Sequence, residues 1–254
     1  MNRLIPDRFQ GRVAIVTGAS SGIGRRTAID FAAEGAKVVA ADIATRELQE
    51  VREVIERAGG ECLTRVCDIA DRTNVDALMS QAREQYGSID ILINNAGFLV
   101  AGTIEETTDE LIDRTIDINL KGVLYAIRAV TPIMKEQGYG RIVNLASITG
   151  KNGDNSTIFA YGATKGAVIA LTRSVARQLG PWGITCNSIA PHAVMTKMMQ
   201  YWGQDKRDAI AEKIPMRRLG TVDDMSSLLR YLSADESSFI TGETVNINGG
   251  YYMD

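Results

Sequence analysis

Two hydrophobic rhythms alternate along these 254 residues. Short apolar runs at 12–17, 37–41, 62–67, 90–94, 141–146, 184–189 and 244–248 predict strands. Between them, apolar residues at helical spacing predict helices near 22–34, 45–58, 72–86, 109–136, 160–179, 197–213 and 221–233. Alternation of this kind predicts a parallel α/β fold. A (β/α)8 barrel has a similar length. There are seven strand candidates rather than eight, however, and a glycine-rich turn follows the first strand. Both features favour a doubly wound sheet with ligand at the carboxyl ends of its strands.

The glycine turn reads Gly18-Ala-Ser20-Ser21-Gly22-Ile23-Gly24, after the strand Val13–Thr17 and before a helical stretch from Thr27. Strand, glycine turn and helix together present backbone N–H groups and a helix dipole to a pyrophosphate. The spacing is G-x-x-x-G-x-G, and no Gly-Lys-Ser/Thr closes it as a P-loop would require. Asp42 ends the second strand, 18 residues beyond Gly24. A carboxylate at that distance suits the ribose hydroxyls of a dinucleotide. It would repel a 2′-phosphate by ~4 kcal/mol per unit charge at close range. NAD(H) is therefore expected over NADP(H). Arg25 and Arg26 read as a solvated first turn rather than as phosphate ligands.

Composition narrows the class without changing it. The chain is 45% apolar and 23% charged, ordinary for a globular domain able to bury one sizeable core. A net charge of −3 without a basic stripe argues against nucleic acid or an anionic membrane as partner. No apolar run approaches a membrane span, and residues 1–10 lack the apolar core of a signal peptide. Cys62, Cys67 and Cys186 are scattered, without metal spacing, and read as reduced thiols of a cytoplasmic protein. A single histidine, His192, makes a His-rich metal site or a Ser-His-Asp triad improbable, and no metal is expected.

Candidate chemistry centres on Tyr161 and Lys165, with Ser147 fourteen residues upstream of the tyrosine. Tyr and Lys four apart share one helix face. A free phenol titrates near ~10 and is a poor base at neutral pH. An ammonium about 4 Å away, at an effective dielectric of ~20, favours the phenolate by up to ~4 kcal/mol. That brings tyrosine toward proton exchange with an alcohol. A lone Y-x-x-x-K is usually one surface turn, so its neighbours in the sequence decide the case.

Thr17-Gly-Ala-Ser-Ser-Gly-Ile-Gly24, Asn94-Asn-Ala-Gly97, Asn119, Ser147 and Tyr161-x-x-x-Lys165 together resemble the short-chain dehydrogenase/reductase family, from Gly11 to about Gly250. The resemblance implies a single-domain, doubly wound (Rossmann-type) seven-stranded parallel sheet with helices on both faces. Residues 1–10 would be a loose N-terminal tail. Residues 11–254 would form one dinucleotide-binding and catalytic domain, with a substrate lid near 191–215. By resemblance, Tyr161 transfers the proton, Lys165 lowers its pKa and binds the nicotinamide ribose, and Ser147 holds the substrate oxygen. Asn119 would hold a relay water. Asp68 and Ile69 would meet the adenine, Ile43 would flank Asp42, and Asn95, Ala96 and Gly97 would lie along the cofactor. Asn94 would brace the sheet. Pro191, Val194 and Thr196 would meet the carboxamide, with His192 replacing the family's usual glycine and packing near the nicotinamide.

Overall similarity is greatest to 3-oxoacyl-carrier-protein reductases, notably at Ile240–Gly250. Two departures pull away from them. Gly138 and Trp182 stand where such enzymes commonly carry basic residues for the acidic carrier, and Asp42 opposes NADPH. The expectation is therefore an NAD(H)-dependent oxidoreductase acting on a free secondary alcohol or ketone, with a 3-oxoacyl-thioester reductase as the alternative. A non-catalytic dinucleotide sensor ranks below both, because Tyr161 and Lys165 are present. Met195, Met198, Met199, Tyr201 and Trp202 could line an apolar pocket under the lid. The family resemblance and a helix at 160–179 that is apolar on two faces point to a homotetramer or a dimer.

Overall fold

The computed structural model describes residues 4–153, 156–196 and 203–254. The strands are β1 (Val13–Thr17), β2 (Lys37–Asp42), β3 (Glu61–Val66), β4 (Ile91–Asn94), β5 (Gly140–Leu145), β6 (Ile184–Pro191), β7 (Val194–Met195), β8 (Gly220–Thr221) and β9 (Thr244–Ile247). Seven of them form one sheet in the order β3-β2-β1-β4-β5-β6-β9, every pair parallel. β7 and β8 make a separate two-stranded ribbon. Winding reverses between β1 and β4, so their carboxyl ends flank a crevice, the expected ligand position in an open α/β sheet.

Both sheet faces are covered, which is why the central strands read as continuous apolar runs. In β1, Val13 and Ile15 join the core beneath α3 (Arg72–Tyr86), α5 (Gly122–Gln137) and α7 (Phe159–Leu179). Ala14 and Val16 join the opposite core beneath α1 (Gly22–Ala33), α2 (Thr45–Arg57) and α9 (Val222–Ser233). Helix ends follow local chemistry. Asp71 caps α3 by accepting from the Thr73 and Asn74 amides, and Gly87 at φ +83° ends it. Thr221 and Asp224 form a reciprocal capping box at the start of α9. α1 and α9 are joined by a buried ion pair between Arg230 and Glu34, with Asp30 3.8 Å from Arg230.

The structure departs from the sequence pattern in several places. The expected loose tail is fastened from Ile5 onward. Phe9 is buried edge-on against Phe31, and the Ile5 amide donates to Glu34. The expected helix 109–136 divides into α4 (Asp109–Ile116), a π-helical turn at Asp117–Lys121, and α5. A short α6 (Thr149–Asn152) follows Ser147. In the expected lid, α8 (Gln204–Lys213) buries none of its residues. Met198, Met199, Tyr201 and Trp202 lie outside the described residues.

Candidate active site

The crevice begins at the β1–α1 turn. Gly18 and Gly22 adopt φ +66° and +54°, conformations that L side chains rarely hold. A Cβ on Gly24 would stand 2.1 Å from the Gly18 carbonyl oxygen, and one on Gly18 would stand 2.8 Å from Ala96 Cα. The turn is thus pressed against the end of β4 by its lack of side chains. Ser21 does not cap α1, and the first turn of α1 carries no acidic residue. The orphan N–H groups and the positive helix end are left to meet an anion. Arg26 is engaged elsewhere, 2.9 Å from both Asp30 and Asp223. Its reading as a non-ligand agrees with that placement. Ile23 packs on the core beneath α1.

Asp42 sits at the end of β2, and its carboxylate accepts from the Ser20 and Ala44 amides, each at 3.1 Å. This couples the glycine turn to the expected ribose acid. Ile43 beside it is exposed, an apolar surface at the crevice edge. Asp68 accepts from the Ala70 amide at 2.9 Å, and Ile69 is buried against Gly122.

The Asn94–Gly97 stretch does more bracing than its sequence suggested. Asn94 donates to Asn144 Oδ1 at 2.8 Å, linking β4 to β5 as expected. Asn95 Nδ2 donates to the carbonyls of Thr17 and Gly18 at 2.9 and 3.0 Å. Its side chain therefore locks the turn. Thr17, not singled out in the sequence, is the matching latch. Its hydroxyl donates to Ile93 O and accepts from the amides of Asn95 and Ala96. The signal for it was a hydroxyl residue closing an otherwise apolar strand.

Lys165 occupies the middle of the site. It is buried, and Nζ donates to the Leu145 carbonyl at the end of β5 at 2.6 Å. Nζ also lies 5.8 Å from the Tyr161 ring centroid and 3.8 Å from where a Gly97 Cβ would stand. Burial pushes its pKa down to about 8. α7 delivers Tyr161 one turn before Lys165, and the Tyr161 carbonyl accepts from the Thr164 hydroxyl at 2.8 Å. Ser147 follows β5, with Oγ accepting from the Thr149 amide at 3.1 Å. An accepting hydroxyl keeps its own O–H to donate.

Asn119 lies within the π-helical turn, and its side chain is spent on backbone. Nδ2 donates to Phe98 O at 2.8 Å, and Oδ1 accepts from Phe98 N at 2.7 Å. It pins the chain beyond Gly97 next to Lys165. Any relay role would have to leave these two bonds in place.

The chain after β6 closes the other side. Pro191 O accepts from the Ile148 amide, tying this segment to Ser147's neighbour. Val194 pairs with Gly220 in the β7–β8 ribbon. The Thr196 side chain comes within 3.5 Å of a Cβ built on Gly22, so this segment and the glycine turn meet. The His192 ring stacks on Tyr251, centroids 4.0 Å apart. That partner was not foreseen. A cavity of about 610 Å³ also touches His192, with Arg218, Asp223, Asp224 and Asn248 in its wall. Its lining omits Ser147, Tyr161 and Lys165. Its charges are neutralised by bidentate Arg218–Asp224 and by Arg26–Asp223 pairing.

Among the described residues no His/Cys/Asp/Glu cluster is arranged to hold a metal ion, and no helix is long and apolar enough to cross a membrane.

A glycine turn at the switch point, an acid at the end of β2, Ser147 after β5 and Tyr161 and Lys165 in the first turns of α7 are the arrangement expected of a nicotinamide-dependent oxidoreductase. The chain belongs to the short-chain dehydrogenase/reductase family. Residues 18–252 match a family model described as enoyl-(acyl carrier protein) reductase. The chain is 38% identical to the 3-oxoacyl-[acyl-carrier-protein] reductase of Staphylococcus epidermidis over 94% of its length and 98% of that protein's. It is 36% identical to the (2S)-[(R)-hydroxy(phenyl)methyl]succinyl-CoA dehydrogenase subunit BbsD of Thauera aromatica, covering 95% and 97%. The crystal structure of levodione reductase superposes with a TM-score of 0.90 at 34% identity, covering 95% of this chain and 98% of that one.

Proposed function

We propose that the chain is an NAD(H)-dependent oxidoreductase interconverting a 3-hydroxyacyl and a 3-oxoacyl thioester. The thioester reading is supported by similarity, over nearly the whole chain, to relatives named for carrier-protein and CoA thioesters. It reverses the preference that the sequence alone suggested, a free alcohol or ketone. NAD(H) is supported by Asp42, whose carboxylate is held at the end of β2 by two amides.

The glycine turn, the uncapped start of α1 and the segment around Thr196 fit a dinucleotide pyrophosphate, because no Cβ fills the turn there. Bound nicotinamide dinucleotide supplies or accepts the hydride. Ser147 holds the substrate oxygen by its O–H. Tyr161 gives that oxygen a proton in reduction and takes it in oxidation. Lys165 Nζ lies 5.8 Å from the Tyr161 ring centroid, and a positive charge about 6 Å from a phenolate, at an effective dielectric of ~20, would favour it by ~3 kcal/mol. Lys165 is anchored for this task by Leu145 O. Asn119 keeps the Gly97–Phe98 backbone in place beside it. The assembly expected is a homotetramer. Ala163 and Ala170 on α7, Leu124 on α5 and the fully exposed Phe239 leave apolar surface for copies to cover. Light scattering giving the mass of a single chain would refute it.

A second reading, reduction of a free ketone, is favoured by one surface feature. Trp182, where carrier-binding relatives are basic, is an exposed ring with Lys135 Nζ 5.0 Å from its centroid. Acetoacetyl-CoA with NADH or NADPH, followed at 340 nm beside a panel of free ketones, separates the two. Turnover of the thioester with NADH preferred is the expected result. Turnover of free ketones alone would overturn it.

A further inference from the structure

The segment after β9 touches three walls of the site. Gly249 O accepts from the Met216 amide at the end of the expected lid. Tyr251 stacks on His192, on the β6–β7 segment. Asp254 accepts from Lys151 Nζ at 2.6 Å, on the helix that follows Ser147. These contacts are specific rather than casual. The Lys151 side chain is 92% buried, and its only other acceptor among the described contacts is Thr244 O at 3.4 Å. Asp254 is itself held by Asn246 Nδ2 at 2.6 Å, and the Tyr252 carbonyl by Asn248 Nδ2 at 3.0 Å. The anchored helix α6 is in turn pressed on the catalytic helix. A Cβ on Gly150 would stand 2.6 Å from the Lys165 carbonyl carbon and from the Gly166 amide.

We infer that Gly249–Asp254 is a strap that sets the spacing between the β6–β7 segment and α6, with Tyr251 and Asp254 as positioning residues for substrate. His192 is the partner that makes this possible. A glycine there would offer Tyr251 no ring. The strap joins the helix that follows Ser147 to the β6–β7 segment, so its loosening is expected to change substrate affinity before it changes the chemical step. This role in substrate binding rests on the thioester reading; the strap itself does not.

Two measurements on the full chain test it. In hydrogen–deuterium exchange, Tyr251→Ala should speed exchange at the Met216 and Gly220 amides at least tenfold, while Tyr251→Phe, which keeps the ring, should match wild type. Both amides now donate within this region, to Gly249 O and Ala193 O. In kinetics with acetoacetyl-CoA, Tyr251→Ala and Asp254→Asn should raise KM at least fivefold with kcat within twofold. In exchange, His192→Gly should reproduce the Tyr251→Ala effect, and the double variant should be no worse than either. Unchanged exchange in Tyr251→Ala overturns the strap, whatever the activity. Faster exchange with unchanged KM overturns its role in substrate binding. If wild type ignores acetoacetyl-CoA, the thioester reading fails together with that role, and the exchange arm still decides the strap.

Discussion

Lys165→Met should stabilise the fold at neutral pH while removing activity. The buried ammonium titrates near pH 8 in the folded chain, against an ordinary lysine value of 10.5. At 1.36 kcal/mol per decade, holding it charged costs the native state roughly 3 kcal/mol. Below pH 8 both folded and unfolded chains carry the proton, and that cost is borne in full. Between pH 8 and 10.5 the unfolded chain binds more protons, so wild-type stability climbs with pH. Methionine has similar length and no charge, but it leaves Leu145 O without its donor, a loss of ~1–2 kcal/mol. The net expectation at pH 7 is a gain of about 1–2 kcal/mol. That gain should shrink and reverse toward pH 10.5. Urea unfolding of the cofactor-free protein at one fixed concentration, repeated from pH 7 to 10, reads the difference directly. Titrations of groups that Lys165 does not influence cancel between the two proteins, and Tyr161→Phe in both backgrounds removes the one that it does. A variant less stable at pH 7, or a difference that ignores pH, would refute the buried-charge argument.

Tyr161→Phe should reduce turnover by at least a thousandfold while NADH still binds, as checked by nicotinamide fluorescence; near-normal turnover removes its proton role. Asp42→Ala should raise the kcat/KM ratio of NADPH to NADH at least tenfold, because the repulsion of a 2′-phosphate is gone. Steady-state kinetics with both cofactors decide it. Gly24→Ala forces a Cβ against a backbone oxygen that cannot step aside, so NADH affinity should fall at least tenfold by titration. Arg230→Met leaves Glu34 buried without its closest cation and should cost ~3–5 kcal/mol in urea unfolding. Adding Glu34→Leu should recover most of that loss, and failure to recover would mean that the pair is not what holds α1 to α9.

How far the sequence could be read depended on the range of the interaction. The central sheet strands were visible because a strand buried on both faces must be apolar throughout, and β1 shows Val13 to Val16 shared between two cores; the edge strands β3 and β9 are only partly buried and carry polar residues. The glycine turn was visible because positive φ and close approach both exclude side chains, and Gly18, Gly22 and Gly24 each meet one of those needs. The π-helical turn at Asp117–Lys121 was hidden, since helical spacing continues through it and only the inserted register differs. Two-residue strands such as β7 and β8 have no period to detect.

Residue types were legible further than residue duties. Asn95 and Asn119 sit where the family pattern placed them, and both side chains bond backbone groups, those of Thr17 and Gly18 in one case and of Phe98 in the other. Such amides fix the walls of the crevice, Asn95 through its donor end and Asn119 through both ends. His192 shows the opposite limit. Its departure from glycine was plain in the sequence, but its partner lies 59 residues away, on a segment whose own pattern is only Tyr-Tyr-Met-Asp. A contact between two loops leaves no periodicity behind. The residues that carry the family resemblance were therefore readable as motifs, while loop-to-loop pairings such as His192 with Tyr251 are displayed only by the folded chain.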